Sequence, residues 1–176
     1  HNTVGLMAGE PPDSVSALLR DWARVEPGMD LSATGVVVRL GRIRAQIEAQ
    51  LGELYQAHGL SAADFAALSI LRRAGETPMS GLAEGLYLTA GTVTPRVRRL
   101  VGAGLATVRR DPQDSRVQLV AMTPEGRSAF DRVVGGHLEI QRHSLTALTA
   151  DEQVLLAELL TRVLADLESR RPDGMP

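Results

Sequence analysis

The punctuation between Ser80 and Thr123 constrains this chain more than any other feature. Ser80 opens a short stretch carrying Leu82, Ala83 and Leu86, and a second begins after Leu88 and runs to about Ala103 with Val93, Val97, Leu100 and Val101 inside it. Apolar residues at that spacing line one helix face, and two short helices joined by a turn of a few residues read as a helix-turn-helix. Gly104 closes the second helix, Leu105 to Arg109 reads as a strand, Asp111-Pro-Gln-Asp114 as a turn, and Val117 to Met122 alternates as a second strand. The pattern predicts a mainly α chain with a small β-hairpin wing, that is, a winged helix-turn-helix.

Longer helical patterns flank this centre. Val15, Leu18, Leu19 and Trp22 fall at helical spacing between Ser14 and Val25, and Glu26-Pro-Gly-Met-Asp30 breaks the pattern. A long amphipathic helix from about Thr34 to His58 carries the stripe Val37, Leu40, Ile43, Ile47, Leu51 and Leu54, with Gly59 as its stop. Ser61 starts the next helix, with Asp64 as a capping-box acid, and that helix ends near Gly75. After the wing, Thr123-Pro124 is a cap followed by proline at the first helical position; this helix is expected to reach about Leu148. Thr149-Ala-Asp-Glu152 is a capping box for a last helix with Leu155, Leu156, Leu159, Leu160, Val163, Leu164 and Leu167.

These terminal stripes exceed what a small winged-helix core can cover. Helices that cannot bury an apolar face alone bury it on a partner, so a homodimer with a helical dimerisation arm is expected. The expected organisation is an N-terminal tail and extra helix (1–33), a long dimerisation helix (34–60), a winged lobe (61–123), C-terminal dimerisation helices (124–171) and a disordered tail (172–176).

Composition removes several function classes. With aromatics at only 3%, the core must be built from Leu, Val, Ile and Ala. Cysteine is absent, which excludes disulfides, thiolate metal sites, a cysteine nucleophile and thiol redox sensing. His58, His137 and His143 have no ligand spacing, so no metal is expected. No Ser-His-Asp or paired-carboxylate arrangement stands out; no catalytic residue, no cofactor and no enzyme activity are expected. No run approaches the roughly 18 apolar residues of a membrane span, and the first residues lack the basic-then-apolar order of a secretory signal. The expectation is a cytoplasmic protein with no membrane partner.

All 19 basic residues are arginine and the net charge is −2, but the charge is unevenly placed. Between Ala90 and Arg116, Arg96, Arg98, Arg99, Arg109, Arg110 and Arg116 stand against only Asp111 and Asp114; the other 13 arginines face 19 acids. For a polyanionic partner the distribution matters more than the sum.

The runs Thr92-Val-Thr94, Arg99-Leu100, Gly104-Leu105, Arg110-Asp-Pro-Gln-Asp-Ser-Arg116 and Leu119-Val-Ala-Met-Thr-Pro-Glu-Gly126 resemble repressors of the MarR family, from about Leu40 to Leu167. The most specific signature is a wing Asp-x-Arg, here Asp114 and Arg116, followed by a Leu-Thr-x-x-Gly helix start, here Met122-Thr123-Pro-Glu-Gly126. Leu19-Arg-Asp-Trp-Ala-Arg24 is similar to the extra N-terminal helix of the urate-responsive branch. The resemblance implies a ligand pocket in which Trp22 matches a tryptophan and Arg96 an arginine, for a small anionic or aromatic effector. The acid of that pocket falls at Ala66, and Asp64, about 200° round the helix, does not replace it; urate itself is not implied.

The resemblance further implies double-stranded DNA as partner, bound by a homodimer through its second helix in the major groove. Thr89, Gly91, Thr92, Thr94, Arg96, Arg98 and Arg99 then meet phosphates and bases. Arg96 or Arg99 can take guanine O6 and N7 in bidentate fashion. Arg110, Ser115 and Arg116 belong to the wing, with Arg116 as a minor-groove probe and Asp114 as wing support. For Arg96, ligand pocket, DNA contact and surface ion pair remain open, as do core anchor and ligand stack for Trp22. Pro95 falls about five residues into the helix if Thr89 caps it, at a cost of about 3 kcal/mol; either the helix kinks or it begins at Thr94-Pro95. The implied function is a ligand-responsive regulator, a repressor. A ligand-independent DNA-binding protein and a winged-helix protein-interaction module are the alternatives, separable by effector response and by the salt dependence of DNA binding.

Overall fold

A computed structural model describes residues 13–170. The expected tail at 172–176 and the first twelve residues of the expected N-terminal segment lie outside them. The chain divides into two compact units, His1–Ala49 and Gln50–Pro176.

The first unit contains α1 (Ser14–Val25) and the beginning of α2 (Ser32–Ala57). Asp13 starts α1 by accepting from the Ser16 N–H at 2.6 Å, and Arg39 of α2 donates from Nε to the same carboxylate at 2.7 Å. The Arg39 guanidinium, with the Ser16 donors, holds the Asp13 carboxyl well below the usual carboxylate range. Val15 is buried, and a Cβ at Gly35 would lie 3.2 Å from Leu19 Cδ1, so α1 rests closely on α2. Val36, Val37, Leu40 and Ile43 of α2 stay exposed.

The second unit adds α3 (Ala62–Ala74), β1 (Thr77–Pro78), α4 (Met79–Gly85), α5 (Ala90–Gly102), β2 (Ala106–Arg110), β3 (Gln118–Met122), α6 (Pro124–His143) and α7 (Ala150–Ser169). β3 pairs antiparallel with β2, from Ala106 against Met122 to Arg110 against Gln118. It also pairs with β1, giving the order β1-β3-β2. This is a winged helix, mostly helical with a small antiparallel sheet. Leu68, Leu82, Val93, Val97, Leu100, Val120 and Val133 are fully buried and tie α3, α4, α5, β3 and α6 into one core. Tyr55 of α2 stacks on Phe65 at 4.8 Å and accepts or donates a hydrogen bond with His137 Nδ1 at 2.7 Å.

The helix starts follow their local signals. Ser61 and Thr149 form full capping boxes with Asp64 and Glu152. Thr123 caps α6 through the Gly126 N–H at 2.9 Å and donates its hydroxyl to the Gly104 carbonyl at 2.7 Å. Gly126 is obligatory for this join, because a Cβ there would sit 2.0 Å from the Leu105 carbonyl oxygen.

One expectation is corrected, one element is new and one of two alternatives is decided. α6 ends at His143, short of Leu148. There the Ser144 and Thr146 hydroxyls donate to the carbonyls of Ile140 and His143, a competition with the backbone that disfavours helix continuation. The two-residue strand β1 was not anticipated, since two residues carry no periodicity. α5 starts at Ala90 and continues through Pro95, so the start at Thr94-Pro95 is not adopted.

Candidate nucleic-acid interface

The candidate interface centres on α5, which the fold positions from behind. Val93, Val97 and Leu100 are fully buried, so the opposite side faces outward. At about 100° per residue, the outward line runs through Gly91, Pro95 and Arg98, all exposed. Thr89 precedes the helix with extended backbone, and both the Thr92 and Val93 N–H groups donate to its carbonyl at 3.0 and 3.1 Å. Its hydroxyl meets that of Thr92 at 3.0 Å. Thr89, Thr92 and Thr94 are exposed around the first turns of the helix, where orphan N–H groups and the positive end of the dipole favour an anion such as phosphate.

The arginines of α5 differ in their commitments. Arg98 points outward, Arg96 is half-buried on the flank, and Arg99 is engaged by Asp64. Arg99 Nε and Nη2 donate to the Asp64 carboxylate over 2.8 to 3.1 Å. Asp64 is 3% exposed and also accepts from the Ser61 N–H and hydroxyl. Burial pushes this carboxyl up, but Arg99 and Ser61 outweigh it and hold the carboxyl below its ordinary value. Arg99 therefore orients α5 against the start of α3 while part of its guanidinium stays exposed. Of the three arginines expected on α5, Arg98 lies on the outward line.

The wing carries the second basic element. The turn is closed by Asp111 N–H to the Val117 carbonyl and by Val117 N–H to the Asp114 carbonyl, each at 2.9 Å. Asp114 accepts from the Arg116 N–H at 3.0 Å and from its Nε and Nη2 at 3.0 and 2.9 Å. The Arg116 side chain is nevertheless 88% exposed, so the carboxylate aims it without covering it. Arg116 in turn holds the Asp114 carboxyl below its usual range. Arg110 Nη1 donates to the Ser115 carbonyl at 3.3 Å, bracing the same loop. At the wing base, Arg109 pairs with Glu76 through Nε at 2.7 Å and through Nη2. This bridge and the Asp64–Arg99 pair escaped sequence reading, because neither spacing is helical and only the tertiary fold brings the partners together.

The other candidate residues fall as follows. Trp22 lies on α1 in the first unit, 44% exposed, and Arg96 lies on α5 in the second. Ala66 is on α3, two residues beyond the acid that engages Arg99. Among the described residues no three His, Asp or Glu side chains converge as metal ligands, and no helix is long and apolar enough to cross a membrane.

The sequence model of the MarR family matches residues 60–117. The chain is 32% identical over 162 residues to the HTH-type transcriptional regulator PecS of Dickeya dadantii (strain 3937), covering 89% of this chain and 96% of that protein. A mutant MarR from E. coli, solved in complex with operator DNA, matches with a TM-score of 0.66 at 26% identity over 81% of this chain and 97% of that one. Bordetella bronchiseptica BpsR, solved in a study of the regulation of its DNA binding by 6-hydroxynicotinic acid, matches with a TM-score of 0.59 at 26% identity over 71% and 98%. By its winged-helix fold, its wing and its near full-length match to PecS, this chain belongs to the MarR family.

Proposed function

We propose that the chain is a ligand-responsive transcriptional repressor that binds a pseudo-palindromic operator as a homodimer. The observation that carries the reading is one lobe presenting Arg98 on the outward line of α5 and Arg116 at a wing tip aimed by Asp114. A symmetric dimer would set two recognition helices roughly 34–36 Å apart, one DNA turn. Thr89, Thr92, Thr94, Arg96, Arg110 and Ser115 would then hold phosphates, Arg98 would read a guanine, and Arg116 would enter the narrow minor groove. The likeness to an operator-bound MarR supports this docking. The second copy would cover the exposed Leu155, Leu159, Val163, Leu164 and Leu167 of α7. Regulation rather than catalysis is part of the reading, as for PecS.

The effector would be a small anionic or aromatic compound, as BpsR and its response to 6-hydroxynicotinic acid suggest by likeness. The α1 helix with Trp22 supports kinship with the branch that carries an extra N-terminal helix. Because Arg99 is shared with Asp64, an anion competing for the arginines of α5 would loosen the recognition helix and shift the population away from the DNA-competent form.

Two measurements test this. Binding to a duplex enriched from random sequence should weaken steeply between about 50 and 200 mM salt; affinity independent of salt would sink the operator reading. Trp22 fluorescence should be quenched saturably by one member of a panel of aromatic acids that includes 6-hydroxynicotinic acid, after correction for absorbance. A flat response across the panel removes the effector and leaves a ligand-independent DNA-binding protein.

A further inference from the structure

The outward line of α5 carries three residues that a helix tolerates poorly, Gly91, Pro95 and Gly102. Gly91, Pro95, Arg98 and Gly102 share it, opposite Val93, Val97 and Leu100. Pro95 stands at the sixth helical position, where its missing N–H deprives the Gly91 carbonyl of its usual donor and its ring crowds that carbonyl. The fold asks for neither residue. A Cβ at Gly91 would approach only Thr89 Oγ1, at 4.0 Å, and one at Gly102 would meet nothing within 4 Å. Neither glycine has positive φ. Positions that break a local rule with no internal gain are expected at functional or strained sites, and this line faces outward.

We propose that Pro95 determines specificity by packing its ring on the C5-methyl of a thymine in the major groove. The proposal rests on the operator-binding reading above. Proline offers no side-chain donor or acceptor, so this position can read a base only by apolar contact, and the thymine methyl is the apolar group the groove presents. The ring is rigid and loses little rotamer freedom on burial. Gly91, one turn before, lets the backbone approach without a side chain in the way, and Arg98, about one turn after, reaches the adjoining base pair as a guanine reader.

The test uses the full chain and the duplex it enriches from a random-sequence library. Each thymine of a half-site is replaced singly by deoxyuridine, which removes the methyl and nothing else. Affinities are measured at one salt concentration for the wild type and for Pro95→Ala, whose folding is checked by circular dichroism. One thymine per half-site should lose about four-fold in affinity for the wild type and clearly less for Pro95→Ala, whose single methyl reaches less far than the ring. An equal loss in both proteins, or no loss at any thymine, overturns the role of Pro95. If the wild type enriches no sequence and binds duplex without salt dependence, the operator reading fails first and this inference with it.

Discussion

Helix α7 has a capping box, an acidic first turn and no glycine or proline, yet it buries none of its residues. Helix α5 contains Gly91, Pro95 and Gly102 and has no side-chain cap bond, yet Val93, Val97 and Leu100 are completely buried. Local chemistry is enough to start α7, whereas α5 exists because the core holds it. Burying those three side chains is worth about 2 kcal/mol apiece, which offsets roughly 3 kcal/mol for the proline and 1 for each glycine. The helix with poor propensity is the one that the core holds in place, and the helix with good propensity keeps an apolar stripe that the single chain leaves exposed.

Leu100→Ala should sharpen this contrast most, costing about 4 kcal/mol in denaturant unfolding at every protein concentration. Leu159→Ala on α7 should cost under about 0.5 kcal/mol in dilute solution and, if a second copy covers that face as proposed, more as concentration rises by mass action. Equal, concentration-independent losses from the two would break the comparison.

Next in size is Gly126→Ala, expected to cost about 3 kcal/mol because its Cβ would strike the Leu105 carbonyl. Gly135→Ala on the same helix meets nothing within 4 Å and should stabilise by up to about 1 kcal/mol. Thermal unfolding of the pair checks both signs.

The two capping boxes offer a smaller contrast. Asp64→Ala should cost about 2 kcal/mol, since it removes the capping-box acid and leaves the half-buried Ser61 groups and Arg99 without their acceptor. It should also weaken duplex binding. Glu152→Ala, in the exposed box of α7, should cost about 0.5 kcal/mol and leave duplex binding unchanged.

The smallest expected effect is a pH dependence. Burial holds the His137 imidazole below its ordinary value of 6.5. As pH falls below about 6.5 the unfolded chain takes up a proton that the folded chain resists, so stability is complete above that value and declines beneath it. Urea titrations between pH 7.5 and about 5.5 should show this decline, and His137→Gln should flatten it.

Much of the fold was legible because its determinants are local. Ser61, Thr123 and Thr149 each accept from a backbone N–H three residues on, so a few letters suffice to place a helix start. Gly104 marks the end of α5 because the chain turns there with φ +72. The hairpin was legible from its turn and alternation, and Asp114 could be assigned to the wing because it lies two residues from Arg116. The strand β1 and the early end of α6 were not, since the first is two residues long and the second is decided by which carbonyls two hydroxyls reach.

The amino-acid sequence by itself determined where the capped helices α3, α6 and α7 start, the winged-helix order and the basic segment between Ala90 and Arg116. Only the tertiary structure decided which arginine is committed to Asp64, which to Glu76 and which is turned outward. It also placed Pro95 on the exposed face of α5 and His137 against Tyr55. The physical reason is range: caps and turns act over three or four residues, whereas Asp64 and Arg99 are 35 apart and Tyr55 and His137 are 82 apart. Such partners meet only once the apolar faces between them have closed.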